Sequence, residues 1–133
     1  MADEVRVRID GDADLVTARA EGRAMAERLG FPRPDPTLIA TAISEIARNI
    51  VKFARRGEFT FSIVVEPGRN GLLMTARDSG PGIADLPQAL QDGYSTYRGL
   101  GIGLPGARRL MDEFDIVTEV GKGTTVTMAK WRS

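Results

Sequence analysis

Three sets of residues in this chain have the types and spacing to do chemistry together. Glu45, Asn49 and Lys52 recur at helical intervals. Asp78, Gly80 and Gly82 follow an apolar run as Asp-Ser-Gly-Pro-Gly. Gly99, Gly101 and Gly103 alternate with Leu100 and Ile102 just before a helix-like stretch. A carboxylate and a carboxamide offer oxygen atoms to a hard cation such as Mg²⁺, and a lysine offers a compact positive charge to phosphate. Glycine adopts positive φ and lets backbone amides approach a ligand with no Cβ in the way. A helix that starts just after such a turn presents unpaired N–H groups and a positive dipole end to an anion. Together the three sets predict a nucleotide site, with the base near Asp78 and the phosphates near Gly99–Gly103. Each set alone also fits a plainer role. Glycines mark ordinary turns, Asp78 suits a turn, and Glu45 with Asn49 can simply pair at i,i+4 on a solvated flank.

The elements that must position these residues are legible in the pattern. Val5, Val7 and Ile9 alternate with charged residues, which predicts a short half-buried strand. Asp10-Gly11-Asp12 breaks it, with Asp12 or Asp14 able to cap a helix over 14–29. Asp35-Pro36 opens a second helix, about 36–55, as N-cap acid and first-turn proline. At 100° per residue, Ile39, Ile43, Ile46, Ile50 and Phe53 fall in one core stripe about 80° wide. Glu45, Asn49 and Lys52 form a second stripe roughly 110° away. They stand on the shoulder between core and water, with Ser44, Arg48 and Arg55 on the solvated side. Glu58–Glu66 and Leu72–Arg77 read as strands around a Pro67–Gly71 hairpin turn. Asp78 ends the second of them. A short helix over 85–91 and a polar lid over 92–98 follow. A helix from Gly101 to about Glu113 turns Leu104, Ala107, Leu110 and Met111 inward. Phe114–Val120 and Thr124–Met128 are two further strands around Gly121-Lys122-Gly123.

Composition narrows the possible chemistry. The chain has 133 residues, with 42% hydrophobic and 27% charged residues, which suits one globular domain. Eighteen basic residues balance eighteen acidic ones, so no overall field favours nucleic acid or a membrane. There is no cysteine, which excludes disulfides and thiolate chemistry and fits a reducing cytoplasm. There is no histidine either, which excludes an imidazole base and a phosphohistidine in this chain. No apolar run approaches the roughly 18 residues of a membrane span. Gly101-Ile-Gly103-Leu-Pro-Gly106 matches a dinucleotide-binding pattern as text, but the residues before it do not read as the buried strand that such a site requires. The P-loop pattern and the signature patterns of the eukaryotic-type kinases are absent.

Glu45-x-x-x-Asn49-x-x-Lys52 resembles the N box of the GHKL superfamily, the group of gyrase, Hsp90, histidine kinases and MutL. Asp78-x-Gly80-x-Gly82 is similar to its G1 box, Gly99-x-Gly101-x-Gly103 to its G2 box, and Gly123-Thr124 to its closing Gly-Thr element. Order and spacing match over essentially the whole chain, 1–133 as a single ATP-binding domain. The resemblance implies an α+β Bergerat fold, a two-layer sandwich whose mixed, largely antiparallel sheet carries helices on one face. It implies ATP or ADP with Mg²⁺ between sheet, helix and lid. By the same resemblance Asn49 coordinates Mg²⁺, and Glu45 is the general base or assists the metal through water. Lys52 supports the phosphates and Asp78 reads the adenine amino group. Gly80 and Gly82 shape the adenine wall, with Ile83 against the base. Gly99, Leu100, Gly101, Ile102 and Gly103 form the phosphate loop, and Thr124 supports the adenine contact.

The chain's size and its lack of histidine set it among the free-standing bacterial members, the anti-sigma factors and the serine kinases of partner-switching systems. Ala42–Asn49, Asp92–Thr96, Gly99–Gly106, Arg109–Phe114 and Lys130-Trp131 resemble the RsbT-type kinases and switch proteins of the stressosome. That resemblance implies a cytoplasmic protein-serine kinase. It would phosphorylate a STAS-domain antagonist within a larger stressosome assembly and then exchange it for a PP2C-type phosphatase. Two alternatives stand beside this reading. One is an anti-sigma factor that sequesters a sigma subunit, and the other is a non-catalytic nucleotide-binding module.

Overall fold

The computed structural model describes residues 4–83 and 103–132. The short helix expected over 85–91, the lid over 92–98, and Gly99, Leu100, Gly101 and Ile102 lie outside the described residues.

Alternation in the sequence becomes a sheet with one wet face and one dry face. Strand β1 (Glu4–Ile9) buries Val7 and Ile9 and turns Glu4, Arg6 and Arg8 outward. It pairs with β2 (Gly57–Glu66), which pairs with β3 (Arg69–Asp78). Strand β5 (Gly123–Arg132) lies between β3 and β4 (Glu113–Glu119), giving the order β1-β2-β3-β5-β4. Every one of these pairings is antiparallel. The hairpin between β2 and β3 closes at Pro67-Gly68, tighter than the expected Pro67–Gly71, because Glu66 already pairs with Arg69. Strand β5 runs to Arg132, four residues beyond the expected Met128, because Lys130 and Trp131 find partners in Leu72 and Gly71. In both places cross-strand pairing overrides the polar character of the residues it recruits.

Helix α1 (Asp12–Arg28) begins at an Asp14 carboxylate that accepts the Asp10 and Gly11 amides at 2.7 and 3.2 Å. It packs on α2 (Asp35–Asn49) through Ala18, Gly22, Met25 and Ala26. A Cβ on Gly22 would collide with Ile43, so glycine sets how closely the two helices approach. Helix α3 (Gly103–Leu110) also packs on α2 and buries Leu104 and Ala107. It stops at Leu110, short of the expected Glu113, because Asp112 donates its amide to the Ala129 carbonyl at 3.0 Å and Glu113 opens β4. The core lies between these helices and the dry sheet face, where Phe59 and Phe61 stack at 5.2 Å.

One stretch departs from regular helix geometry. The expected helix 36–55 is α-helical only to Asn49 and then widens into a π-helical turn over Ile50–Ala54. Ile39, Ile43, Ile46 and Ile50 keep their core stripe, but Phe53 is 51% exposed. A π turn closes its hydrogen bonds over five residues rather than four, so extrapolating at 100° per residue fails beyond Ile50. Arg55 then takes φ +73°, and the chain reverses into β2.

Candidate functional site

The register of four strands assembles the polar end of the site. Gly57 pairs with Asp78, Asp78 with Thr124, and Thr118 with Thr124. Directly opposed residues share a sheet face, so Asp78, Thr124 and Thr118 stand in one row on the dry face. Asp78 closes β3, where the chain leaves the sheet for the glycine turn. Its Oδ1 accepts the Gly80 amide at 2.9 Å and the Thr124 amide at 3.3 Å. Those two bonds hold the carboxylate in place. Its Oδ2 has no hydrogen bond among the described residues.

The turn after Asp78 is attached to the β4–β5 hairpin. The Pro81 carbonyl accepts the Gly121 amide at 2.8 Å, and the Ile83 amide donates to Thr118 Oγ1 at 2.9 Å. Gly82 takes φ +79°, and a Cβ there would stand 2.5 Å from the Glu119 carbonyl oxygen. Positive φ and this contact both require glycine. A Cβ on Gly80 would likewise stand 2.5 Å from Ala54 Cβ, so the turn lies flush against the π-helical turn.

A pocket of about 220 Å³ opens between these elements. The end of α2 and the π turn contribute Ile46, Asn49 and Ile50. The sheet contributes Ala76, Asp78, Thr124 and Val126, and the glycine turn contributes Gly82 and Ile83. Leu104, in the first turn of α3, closes the pocket on that side. The walls are mostly hydrocarbon, with a carboxylate, a hydroxyl and a carboxamide converging from three elements. This is the general character of a small-molecule site, in which apolar walls provide burial and a few polar atoms set orientation.

The residues expected from sequence occupy distinct positions around this pocket. Asp78, Gly82, Ile83, Thr124 and Asn49 line it. Gly80 shapes the turn from behind, and Gly103 opens α3. Glu45 stands one turn before Asn49, buried at 6% exposure, with its carboxylate ion-paired to Arg48. Arg48 was expected on the solvated side, but it folds back along the helix to reach that carboxylate. Lys52 sits exposed on the π turn. Neither Glu45 nor Lys52 belongs to the described lining of the pocket.

Sequence reasoning missed Thr118 and the apolar lining from Ile46, Ala76, Val126 and Leu104. A signal for Thr118 was present. Phe114, Ile116 and Thr118 alternate along one strand, so a polar residue stands where the third inward apolar residue would be. Among the described residues, no group of three or more His, Cys, Asp or Glu side chains comes together to hold a metal. Among them also, no helix is long and apolar enough to cross a membrane.

Comparison with known proteins agrees with this fold. Residues 10–130 match the family of the histidine kinase-like ATPase domain. The chain is 47% identical over 131 residues to the serine/threonine-protein kinase RsbT of Bacillus subtilis, with 98% of each chain covered. It is 32% identical over 120 residues to an anti-sigma F factor of Geobacillus stearothermophilus, covering 85% of this chain and 81% of that one. Its fold superposes with TM-score 0.67 on a crystal structure of the RsbU and RsbW domains of a Mycobacterium tuberculosis protein. That match, at 19% identity, covers 100% of this chain and 33% of the other, and it bears on the fold alone.

Proposed function

The chain belongs to the family of the histidine kinase-like ATPase domain, and from that premise we propose that it is an ATP-dependent protein-serine kinase of a bacterial partner-switching system. The observation that carries this reading is the anchored Asp78. Its Oδ1 is held by two backbone amides, and its Oδ2 is left to accept from a ligand inside an apolar pocket. An adenine fits that arrangement, because its flat faces suit Ile50, Ala76 and Ile83 and its amino group supplies the hydrogen that Oδ2 lacks.

Mg²⁺ fits as an ion carried mainly by the nucleotide's phosphates and water, which is its usual mode with nucleoside triphosphates. Asn49 supplies a protein oxygen at the pocket edge. When bound, the ion neutralises charge on the phosphates. The amides of Gly99, Gly101 and Gly103, with Leu100 and Ile102 between them, would cradle the phosphates together with Lys52. Glu45 is the base: it accepts the proton of a partner's serine hydroxyl as the serine oxygen bonds to the γ-phosphorus and ADP departs. Little covalent chemistry falls to the protein in such a transfer, so positioning and charge neutralisation supply most of the rate.

The phosphoryl acceptor we propose is a STAS-domain antagonist, held in a larger stressosome-type assembly in the cytoplasm. Once that antagonist is phosphorylated, the chain, acting as a single domain, would pass to a PP2C-type phosphatase. A second reading is supported by the 32% identity to an anti-sigma F factor, namely that the chain sequesters a sigma subunit. Phosphotransfer and capture of sigma and STAS-domain proteins together separate the two. The protein is mixed with ATP, Mg²⁺ and a STAS-domain protein, and phosphoserine is sought on the partner by mass spectrometry, with Asp78→Asn as control. Phosphoserine that vanishes with the control is the expected result. Nucleotide binding without transfer, together with capture of a sigma subunit, would favour sequestration. No thermal shift with saturating ATP and Mg²⁺ would reduce the chain to an interaction module without nucleotide.

A further inference from the structure

The pocket accounts for one end of α3, where Gly103 opens the helix and Leu104 lines the wall. The other end is held by contacts that the site has not yet used. Arg109–Phe114 and Lys130-Trp131 are apart in sequence, with 20 residues between Leu110 and Lys130, yet they meet there. Many helices end on a glycine that satisfies their last carbonyls. Here Met111, Asp112 and Glu113 follow Leu110, and the capping group comes from β5 instead. Lys130 Nζ donates to the Leu110 carbonyl at 2.9 Å and stands 3.8 Å from Asp112 Oδ1. A cation at that position complements the negative end of the helix dipole. The Lys130 side chain is only 16% exposed, so water has little access to compete for the carbonyl. Asp112 Oδ2 accepts the Trp131 amide at 2.7 Å, and the Trp131 indole donates to Glu113 Oε2 at 2.6 Å. The Asp112 amide in turn donates to the Ala129 carbonyl at 3.0 Å.

Helix α3 has eight residues, roughly 12 Å as a rod. Its flank packs on α2 through the buried Leu104 and Ala107. Apolar packing is non-directional, so it does not by itself fix where a short helix stands along its neighbour. The directional bonds at the β5 junction do. The unpaired N–H groups of a helix lie at its first turn, and hydrogen bonds weaken steeply as geometry departs from ideal. A rod displaced at Leu110 is displaced at Gly103 as well, and its first turn then meets a phosphate badly. We infer that Lys130 is a positioning residue for phosphate binding: it fastens the far end of α3 to β5 and so sets where the start of the helix stands. The base is held separately, by Asp78 on β3. This inference rests on the nucleotide reading above.

The test compares ADP with adenosine, which carries the same base and no phosphate. Lys130→Met keeps most of the stem and removes the donor, while Lys130→Arg keeps a charged donor. In Lys130→Met, ADP should weaken and adenosine should not. The preference for ADP, measured as a ratio of Kd values, is expected to shrink about 3- to 10-fold, the scale of one hydrogen bond. Lys130→Arg is expected to keep the wild-type ratio. A merely loosened fold would weaken both ligands together and leave the ratio unchanged, and an unchanged ratio overturns the inference. So does a Lys130→Arg variant that behaves like Lys130→Met. Coupling between two sites is reciprocal, which supplies a measurement on the wild-type protein that does not depend on how the variants fold. If the junction favours phosphate binding, bound phosphates must stabilise the junction. With each ligand at the same multiple of its Kd, the two stabilise the whole fold equally. ADP should then slow hydrogen exchange at the Asp112 and Trp131 amides more than adenosine does, and equal slowing overturns the proposal. Wild-type protein that binds neither ligand would instead remove the nucleotide reading on which the inference stands.

Discussion

Val7, Phe59, Ala76, Val126 and Ile116 form one row across the dry face of the sheet, and Ile9, Gly57, Asp78, Thr124 and Thr118 form the next. The two rows share the same strands, the same register and the same covering layer of helices. The first is filled with hydrocarbon, and Phe59 within it is fully buried. The second loses its side-chain volume at Gly57 and carries three hydrogen-bonding side chains in succession. A Cβ on Gly57 would stand 2.9 Å from Ile50, so its absence lets the π-helical turn settle at this point. Ala76 and Val126 belong to the first row and still floor the pocket, so core and site share a wall. The site is thus a local change of side chain on an unchanged backbone, one pleat away from the core.

That contrast can be broken in either direction. Glu45→Ala should lower phosphoryl transfer roughly 10²- to 10⁴-fold, the range of a lost general base, with little loss of nucleotide binding. Single-turnover transfer beside a nucleotide titration measures both, and near-normal transfer would remove Glu45 from the role of base. Phe59→Ala strikes the apolar row and should cost about 3–5 kcal/mol in chemical denaturation. The molecules that remain folded should keep their preference among nucleotides. If that preference changed as well, the two rows would not be separable.

Asp78→Asn acts on the polar row alone. The amide oxygen can still accept from Gly80 and Thr124, but its NH₂ then faces the pocket where an acceptor stood. Binding of ATP should weaken by roughly 100-fold, the scale of a lost charge-assisted hydrogen bond, while denaturation shifts far less than for Phe59→Ala. A variant that binds ATP normally would dissociate Asp78 from base recognition. Gly82→Ala tests the joint between turn and hairpin. Forcing a Cβ into φ +79° costs about 1–2 kcal/mol, seen as a lowered Tm without nucleotide. A variant as stable as wild type would show that the turn relaxes away from Glu119.

How much of this was legible beforehand differs by residue. Asp78, Gly82, Ile83, Asn49 and Thr124 were readable from spacing and resemblance, and all five line one pocket. The strands were readable from alternation, but their ends were not. Arg69, Asn70, Lys130 and Trp131 are polar or bulky, and they join the sheet only because partner strands are there to bond them. The exposure of Phe53 was hidden because a period measured along an α-helix cannot report where the helix widens. The Arg48 contact to Glu45 was hidden because a long side chain can fold back from the sector in which its Cα lies.

By itself the sequence determined the periodicities, the positions where only glycine serves, and the chemistry that no histidine or cysteine could perform. Those properties follow from covalent structure and from neighbours a few residues apart. The tertiary structure decided that Asp78, Thr124 and Thr118, up to 46 residues apart, share one row. It also decided which oxygen of Asp78 is satisfied by backbone amides and which has no hydrogen bond among the described residues. Those are questions of register and of counting donors against acceptors. They have no answer until the strands are paired, because a shift of one residue in pairing would turn the whole row to the opposite face.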